Sequence, residues 1–147
     1  MNHPFFKNIQ ILYIYSSIWI LIAGIHFAFL KIFNIESWYL SALDSLVFNV
    51  IFFILAFSLW YPLEYSKSKE QKWLNLIINH ITFVVITGFI WLGLSYNILM
   101  FATSGNIVYH EFLYNSLLMR GVTGIFFYTN IVLIYYTLSY YRNLQEK

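Results

Sequence analysis

Three side chains in this sequence have the type and spacing to do ionic or proton chemistry away from water: His26, Asp44 and Arg120. Each falls within a long apolar run, where an ionised group at a helix centre costs about 2.5–3.5 kcal/mol on insertion scales. A carboxylate and a guanidinium relieve that cost by pairing, and an imidazole beside them titrates near neutral pH. Asp44 and Arg120 each stand about one turn inside the same end of their runs, and His26 reaches a similar depth. The expected cluster is therefore an Asp44–Arg120 ion pair facing the interior of a helix bundle, with His26 alongside as part of a sensory site. The competing expectation has Arg120 snorkelling to the headgroups while Asp44 stays in the interface.

A second set of polar residues is weaker in implication. Asn49 joins Ser41, Asp44 and Ser45 on one helical face, at offsets of three, four and eight from Ser41. His80, with Asn75 and Asn79, belongs near the opposite end of its run, and Asn130 lies somewhat deeper. A bis-histidine haem site needs two imidazoles at one level, whereas His26 and His80 belong to opposite halves. His3 and His110 fall outside the runs on opposite sides, so the four histidines make no metal-ligand set. The absence of cysteine removes thiolate chemistry and iron–sulfur ligation. No glycine-rich phosphate loop, Ser/His/Asp set or paired carboxylates occur. No catalytic residue, cofactor or nucleic-acid partner is expected.

The elements that must position these groups are the four apolar runs, about 9–33, 39–61, 73–102 and 117–140. A hydrocarbon core of roughly 30 Å needs about 20 helical residues, and each run reaches that length. Only 10% of the 147 residues are charged and 61% are apolar, against about 25% charged in an ordinary soluble domain. The fold expected is an all-α integral membrane protein, a four-helix up-down-up-down bundle filling residues 1–147 as one domain in contact with the lipid bilayer. The first run is too long for a signal-peptide core and lacks a small-x-small cleavage site, so it reads as an uncleaved helix.

Four spans put both termini on one side. That side carries Lys7, Lys67, Lys69, Lys72, Arg142 and Lys147, and the other only Lys31 and Arg120. This bias places the termini in the cytoplasm. Trp38, Tyr39, Trp60, Tyr61, Trp73, Tyr140 and Tyr141 mark the interfaces as an aromatic belt. Residues 34–38, 62–72 and 103–116 read as connecting loops, with Ser68 and Gln71 of the second forming a capping box.

Each run also carries a stripe suited to helix packing. Ser16, Trp19, Ala23 and His26 mark the first; Asn75, Asn79 and Thr82 the third; Ser116, Arg120, Thr123, Phe127, Asn130, Ile134 and Thr137 the fourth. Ser41-x-x-x-Ser45 and Gly24-x-x-x-Ala28 have the small-xxx-small form of close helix contacts, and packing alone accounts for most of these positions.

The last run continues without Pro or Gly through Arg142 to Lys147 as an exit helix. Asn2-His-Pro-Phe-Phe-Lys-Asn8, Asp44-Ser-Leu-Val-Phe-Asn49, Leu76-Ile-Ile-Asn-His80, Trp91-Leu-Gly-Leu-Ser-Tyr96 and the exit from Tyr135 to Lys147 resemble the membrane region of LytS-type bacterial sensor histidine kinases, along essentially the whole chain. The resemblance implies a homodimeric sensor and anchor module of the bacterial cytoplasmic membrane. Its exit helix would lead to a kinase core that phosphorylates a response regulator. The phosphoacceptor box and ATP-binding motifs of that family do not occur in this sequence, so no catalytic residue carries over. The alternative expectation is a standalone four-span protein, such as a transporter subunit or accessory binder. The absence of Gly/Pro-broken helices counts against transport.

Overall fold

The computed structural model describes residues 9–33, 37–67 and 73–145. They form six helices: α1 (Ile9–Phe33), α2 (Trp38–Ser58), α3 (Trp60–Lys67), α4 (Trp73–Ala102), α5 (Ile107–Asn115) and α6 (Leu117–Gln145). The capping-box residues Ser68 and Gln71 lie outside the described residues. Four helical segments, Ile9–Ile32, Trp38–Glu64, Trp73–Ala102 and Leu117–Tyr141, are long and apolar enough to cross a membrane.

Parts of two segments expected as loops are helical, residues 62–67 and 107–115. Pro62 does not end the second helix. It has no N–H for the Ser58 carbonyl, and its ring crowds that carbonyl, so the helix breaks only at Leu59. Hydrogen bonds resume on either side, from Leu59 N to Leu55 O at 3.1 Å and from Leu63 N to Leu59 O at 3.3 Å. The stretch before Ser116 turns at Gly105, whose φ of +92° suits glycine. It then winds into α5 under an Asn106 cap that accepts the Tyr109 N–H at 3.0 Å.

The core is aromatic. Trp19 of α1, Phe52 of α2, Trp91 of α4 and Phe127 of α6 meet as one ring from each long helix, with centroids from 5.1 Å (Phe52–Trp91) to 6.4 Å (Trp91–Phe127). Gly124 makes room for this centre. A Cβ there would stand 2.6 Å from Trp91 Cζ3.

α2 is the hub, and each of the other three long helices sends it one aromatic donor. Tyr15 Oη donates to Phe53 O at 3.2 Å, Trp91 Nε1 to Phe48 O at 2.7 Å and Tyr135 Oη to Ala56 O at 2.7 Å. Helices in a bilayer gain little from hydrophobic association with one another, and bonds of this kind with close packing are what joins such helices.

The inward faces differ from the polar stripes on α4 and α6. On α6 the buried positions are Arg120, Gly124, Tyr128, Ile131, Tyr135 and Ser139, and on α4 Thr87, Trp91, Ser95 and Leu99. Thr123, Asn130, Ile134 and Thr137 face outward, as do Asn75 and Thr82. The reason is local. Thr123, Asn130 and Thr137 donate to Met119 O, Phe126 O and Leu133 O of their own helix at 3.0, 2.8 and 2.8 Å, and Thr82 to Ile78 O at 2.9 Å. A short polar side chain satisfied by its own backbone has no need of a neighbouring helix.

Gly24 and Ala28 are likewise exposed, whereas Ser41 and Ser45 are buried. Trp60 also departs from the expected belt. It is 1% exposed, packed on Tyr135 at 5.2 Å, while Trp38, Tyr39, Tyr61, Trp73, Tyr140 and Tyr141 stay outward.

Candidate functional site

Asp44 is the fixed point of the site. Its helix starts at the Ser37 cap, and the offset of three from Ser41 sends its carboxyl to the packed face, where it is 0% exposed. Arg120 lies on the first turn of α6 and grips it end-on, from Nη1 to Oδ1 at 2.9 Å and from Nη2 to Oδ2 at 2.8 Å. Two parallel charge-assisted bonds fix direction as well as distance. Arg120 Nε donates to Ser116 Oγ at 2.8 Å, and the Phe48 ring lies under the guanidinium at 4.0 Å. The arginine does not snorkel. It is 8% exposed, held by a carboxylate on a neighbouring helix and a hydroxyl on its own entry turn.

α5 closes this end of the bundle. Tyr109 Oη donates to Asp44 Oδ2 at 2.7 Å, so the carboxylate accepts three strong hydrogen bonds. Burial first, and the Asp44 charge second, push the Tyr109 hydroxyl above its ordinary pKa, so it remains a donor at neutral and mildly alkaline pH. His110, one residue on, is held by Thr103, with Nε2 at 3.1 Å from Oγ1. Because that hydroxyl gives its proton to Leu99 O at 2.7 Å, the imidazole is the donor.

His26 completes the cluster from α1. Its Nε2 faces Asp44 Oδ1 at 3.7 Å, beyond hydrogen-bond distance. The Asn49 amide nitrogen approaches Nδ1 at 3.1 Å and also donates to Ser45 O at 2.7 Å. An amide nitrogen only donates, so Nδ1 must accept, and the neutral imidazole carries its proton on Nε2. Ser45 in turn donates to Ala23 O at 2.7 Å, fixing α1 against α2 at this level.

The geometry thus brings together His26, Asp44, Arg120 and Asn49. It separates them from the rest of the polar set. His80 sits toward the other half of α4, where Nδ1 meets Tyr128 Oη and Nε2 meets Tyr136 Oη, each at 3.0 Å. Both ring nitrogens are occupied, which joins α4 to α6. Asn130 lies on the outward face of α6, and Asn79 is partly buried on α4 away from the cluster. Asn49, Tyr109 and Ser116 are the members that sequence reasoning did not assign to the cluster. The signal for Tyr109 was an Asn106 cap before an amphipathic stretch, with Tyr109 and Leu113 four apart on its buried face.

Beside the pair lies a cleft of about 460 Å³ between α1 and α6, floored by Phe48 and Asn49 of α2. Its mouth is lined by Ile25, Phe29 and Met119, which are 62%, 54% and 69% exposed. No family model, curated protein or solved structure matches this chain. The site holds a buried ion pair of no net charge against a mostly apolar cleft.

Proposed function

We propose that this chain is the membrane-embedded input and anchoring module of a two-component sensor histidine kinase. In this reading it is an up-down-up-down bundle in the bacterial cytoplasmic membrane, with both termini cytoplasmic. It works as a homodimer and reaches a response regulator only through a kinase core that this sequence does not contain. The observation that carries the reading is α6. It is one unbroken helix of 29 residues that holds the ion-paired Arg120 in its first turn and leaves the apolar span at its far end. Any event that shifts Arg120 against Asp44 moves the helix as a rod of roughly 1.5 Å per residue, and so reaches the exit. The aromatic contact of Trp60 with Tyr135 and the bond from Ser139 Oγ to Glu64 Oε2 at 3.3 Å supply a second grip near that exit.

The test is the transcript beyond Lys147, followed by autophosphorylation of the natural full-length protein in vesicles. An open frame entering a histidine-kinase core, with phosphorylation altered by Asp44→Asn, supports the reading. A stop codon with no kinase partner in the operon refutes it. A standalone accessory binder is the second reading, and the cleft beside Arg120 is the observation that favours it.

A further inference from the structure

The cleft between α1 and α6 presents hydrogen-bond donors that nothing among the described residues accepts. Arg120 has five N–H groups, of which three are used by Asp44 and Ser116. His26 Nε2–H, on a side chain 26% exposed, stands 3.7 Å from the Asp44 carboxylate, beyond hydrogen-bond distance. The hydroxyls that border the cleft have already given their protons, Ser116 to Leu113 O at 3.0 Å and Thr123 to Met119 O at 3.0 Å. An N–H without an acceptor in an apolar surround is costly, so the cleft is built for an acceptor.

Depth and charge narrow what that acceptor is. His26 is seven residues inside the end of α1, about 10 Å at about 1.5 Å per residue, which sets the donors below the ester layer of a bilayer. The mouth faces sideways between two helices, so an occupant enters from the hydrocarbon. Arg120 is neutralised by Asp44, and an anionic headgroup would meet that carboxylate with no net positive charge to offset it. Trp91, Phe112 and Phe127 supply aromatic walls, the Phe48 face being covered by the Arg120 guanidinium. A flat ring stacks against such walls at centroid separations of about 4.5–7 Å.

We infer that this cleft binds a neutral, flat, lipid-soluble carbonyl compound, the chemistry of an isoprenoid quinone head, with its carbonyl oxygen accepting from His26 Nε2–H and a remaining Nη–H of Arg120. The inference does not depend on a kinase core, because it concerns binding by this chain alone.

The experiment uses the full chain in phosphatidylcholine nanodiscs, titrated with a naphthoquinone carrying a short isoprenoid tail, with tryptophan fluorescence as the readout. Trp91 lines the cleft, and Trp19 contacts its Phe127 wall at 5.4 Å. The expected result is a saturable quenching component at one quinone per chain. His26→Phe keeps a ring and loses the donor, and should weaken binding about tenfold, the value of one hydrogen bond of about 1.4 kcal/mol. Thr123→Phe fills the cleft from an outward-facing position that the fold does not need, and should abolish the saturable component. Quenching that rises linearly and equally in wild type and Thr123→Phe reports partition into lipid and overturns the inference. Displacement by the isoprenoid hydrocarbon as readily as by the quinone makes the cleft an acyl-chain groove and overturns it too. Unchanged affinity in His26→Phe, with its thermal stability intact, removes the assigned donor and with it the proposal.

Discussion

Replacing Arg120 with glutamine strands the Asp44 carboxylate at 0% exposure with only Tyr109 as a hydrogen-bond donor in place of three. Breaking a buried pair from one side costs about 3–5 kcal/mol, because the charge left behind is unpaired and desolvated. Asp44→Asn should cost a similar amount, since it leaves the guanidinium facing an amide oxygen. If the two losses were independent they would sum to about 6–10 kcal/mol, as large as the whole stability of many domains at about 5–15 kcal/mol. The double variant instead places two neutral amides opposite one another and strands no charge. It should be more stable than the worse single variant, with a coupling energy of at least about 2 kcal/mol. Tyr109→Phe sets the scale. It removes one bond to a charged acceptor and leaves the pair intact, a loss of about 1.5–3 kcal/mol. Reversible unfolding in mixed micelles, followed by tryptophan fluorescence, measures all four variants against the wild type. A double variant no better than the worse single one refutes the argument that the pair acts as a unit.

Three further outcomes are expected. Gly124→Ala should destabilise by about 1–3 kcal/mol as its new methyl drives into Trp91, whereas Gly121→Ala, whose Cβ finds only Leu92 Cδ1 at 3.9 Å, should be neutral or stabilising by up to about 1 kcal/mol; thermal unfolding in detergent separates the two. Tyr135→Phe should lose about 1 kcal/mol with its bond to Ala56 O, while Thr137→Val on the outward face should stay within about 0.5 kcal/mol in the same assay. Asn49→Leu releases His26 Nδ1, and ring-nitrogen chemical shifts should report a mixture of tautomers where the wild type holds the proton on Nε2.

The four long helices could be read from apolar length alone, because nothing but a helix satisfies the backbone of so long a hydrophobic run. The cluster of His26, Asp44 and Arg120 was legible for a related reason, since buried charges must find each other or leave. Asn130, Thr123 and Thr137 misled because a helical pattern of weakly polar residues does not say which way it faces. In an apolar environment those side chains turn back on their own carbonyls, while Tyr128 and Tyr135, which look like interfacial residues by type, carry the contacts between helices. Pro62 and the 103–116 stretch were misread for another reason. Composition marks a break in hydropathy, but a proline in the first turn of a new helix, as Pro62 is in α3, does not prevent it, and a short helix can form wherever a cap such as Asn106 and a docking site such as Asp44 are both supplied.

The three aromatic donors that reach α2 make the bundle unequal in what it tolerates. Their acceptors are main-chain carbonyls at Phe48, Phe53 and Ala56, and every residue type brings a carbonyl. Side chains on α2 can therefore be exchanged at those positions without erasing the bonds, provided the helix stays in register and the packing is met. The donors have no such freedom, for only an indole or a phenol of the right reach replaces Trp91, Tyr15 or Tyr135. Sequence drift should thus accumulate unevenly. A distant version of this bundle would keep Tyr15, Trp91 and Tyr135 together with Asp44, while positions 48, 53 and 56 of the central helix varied.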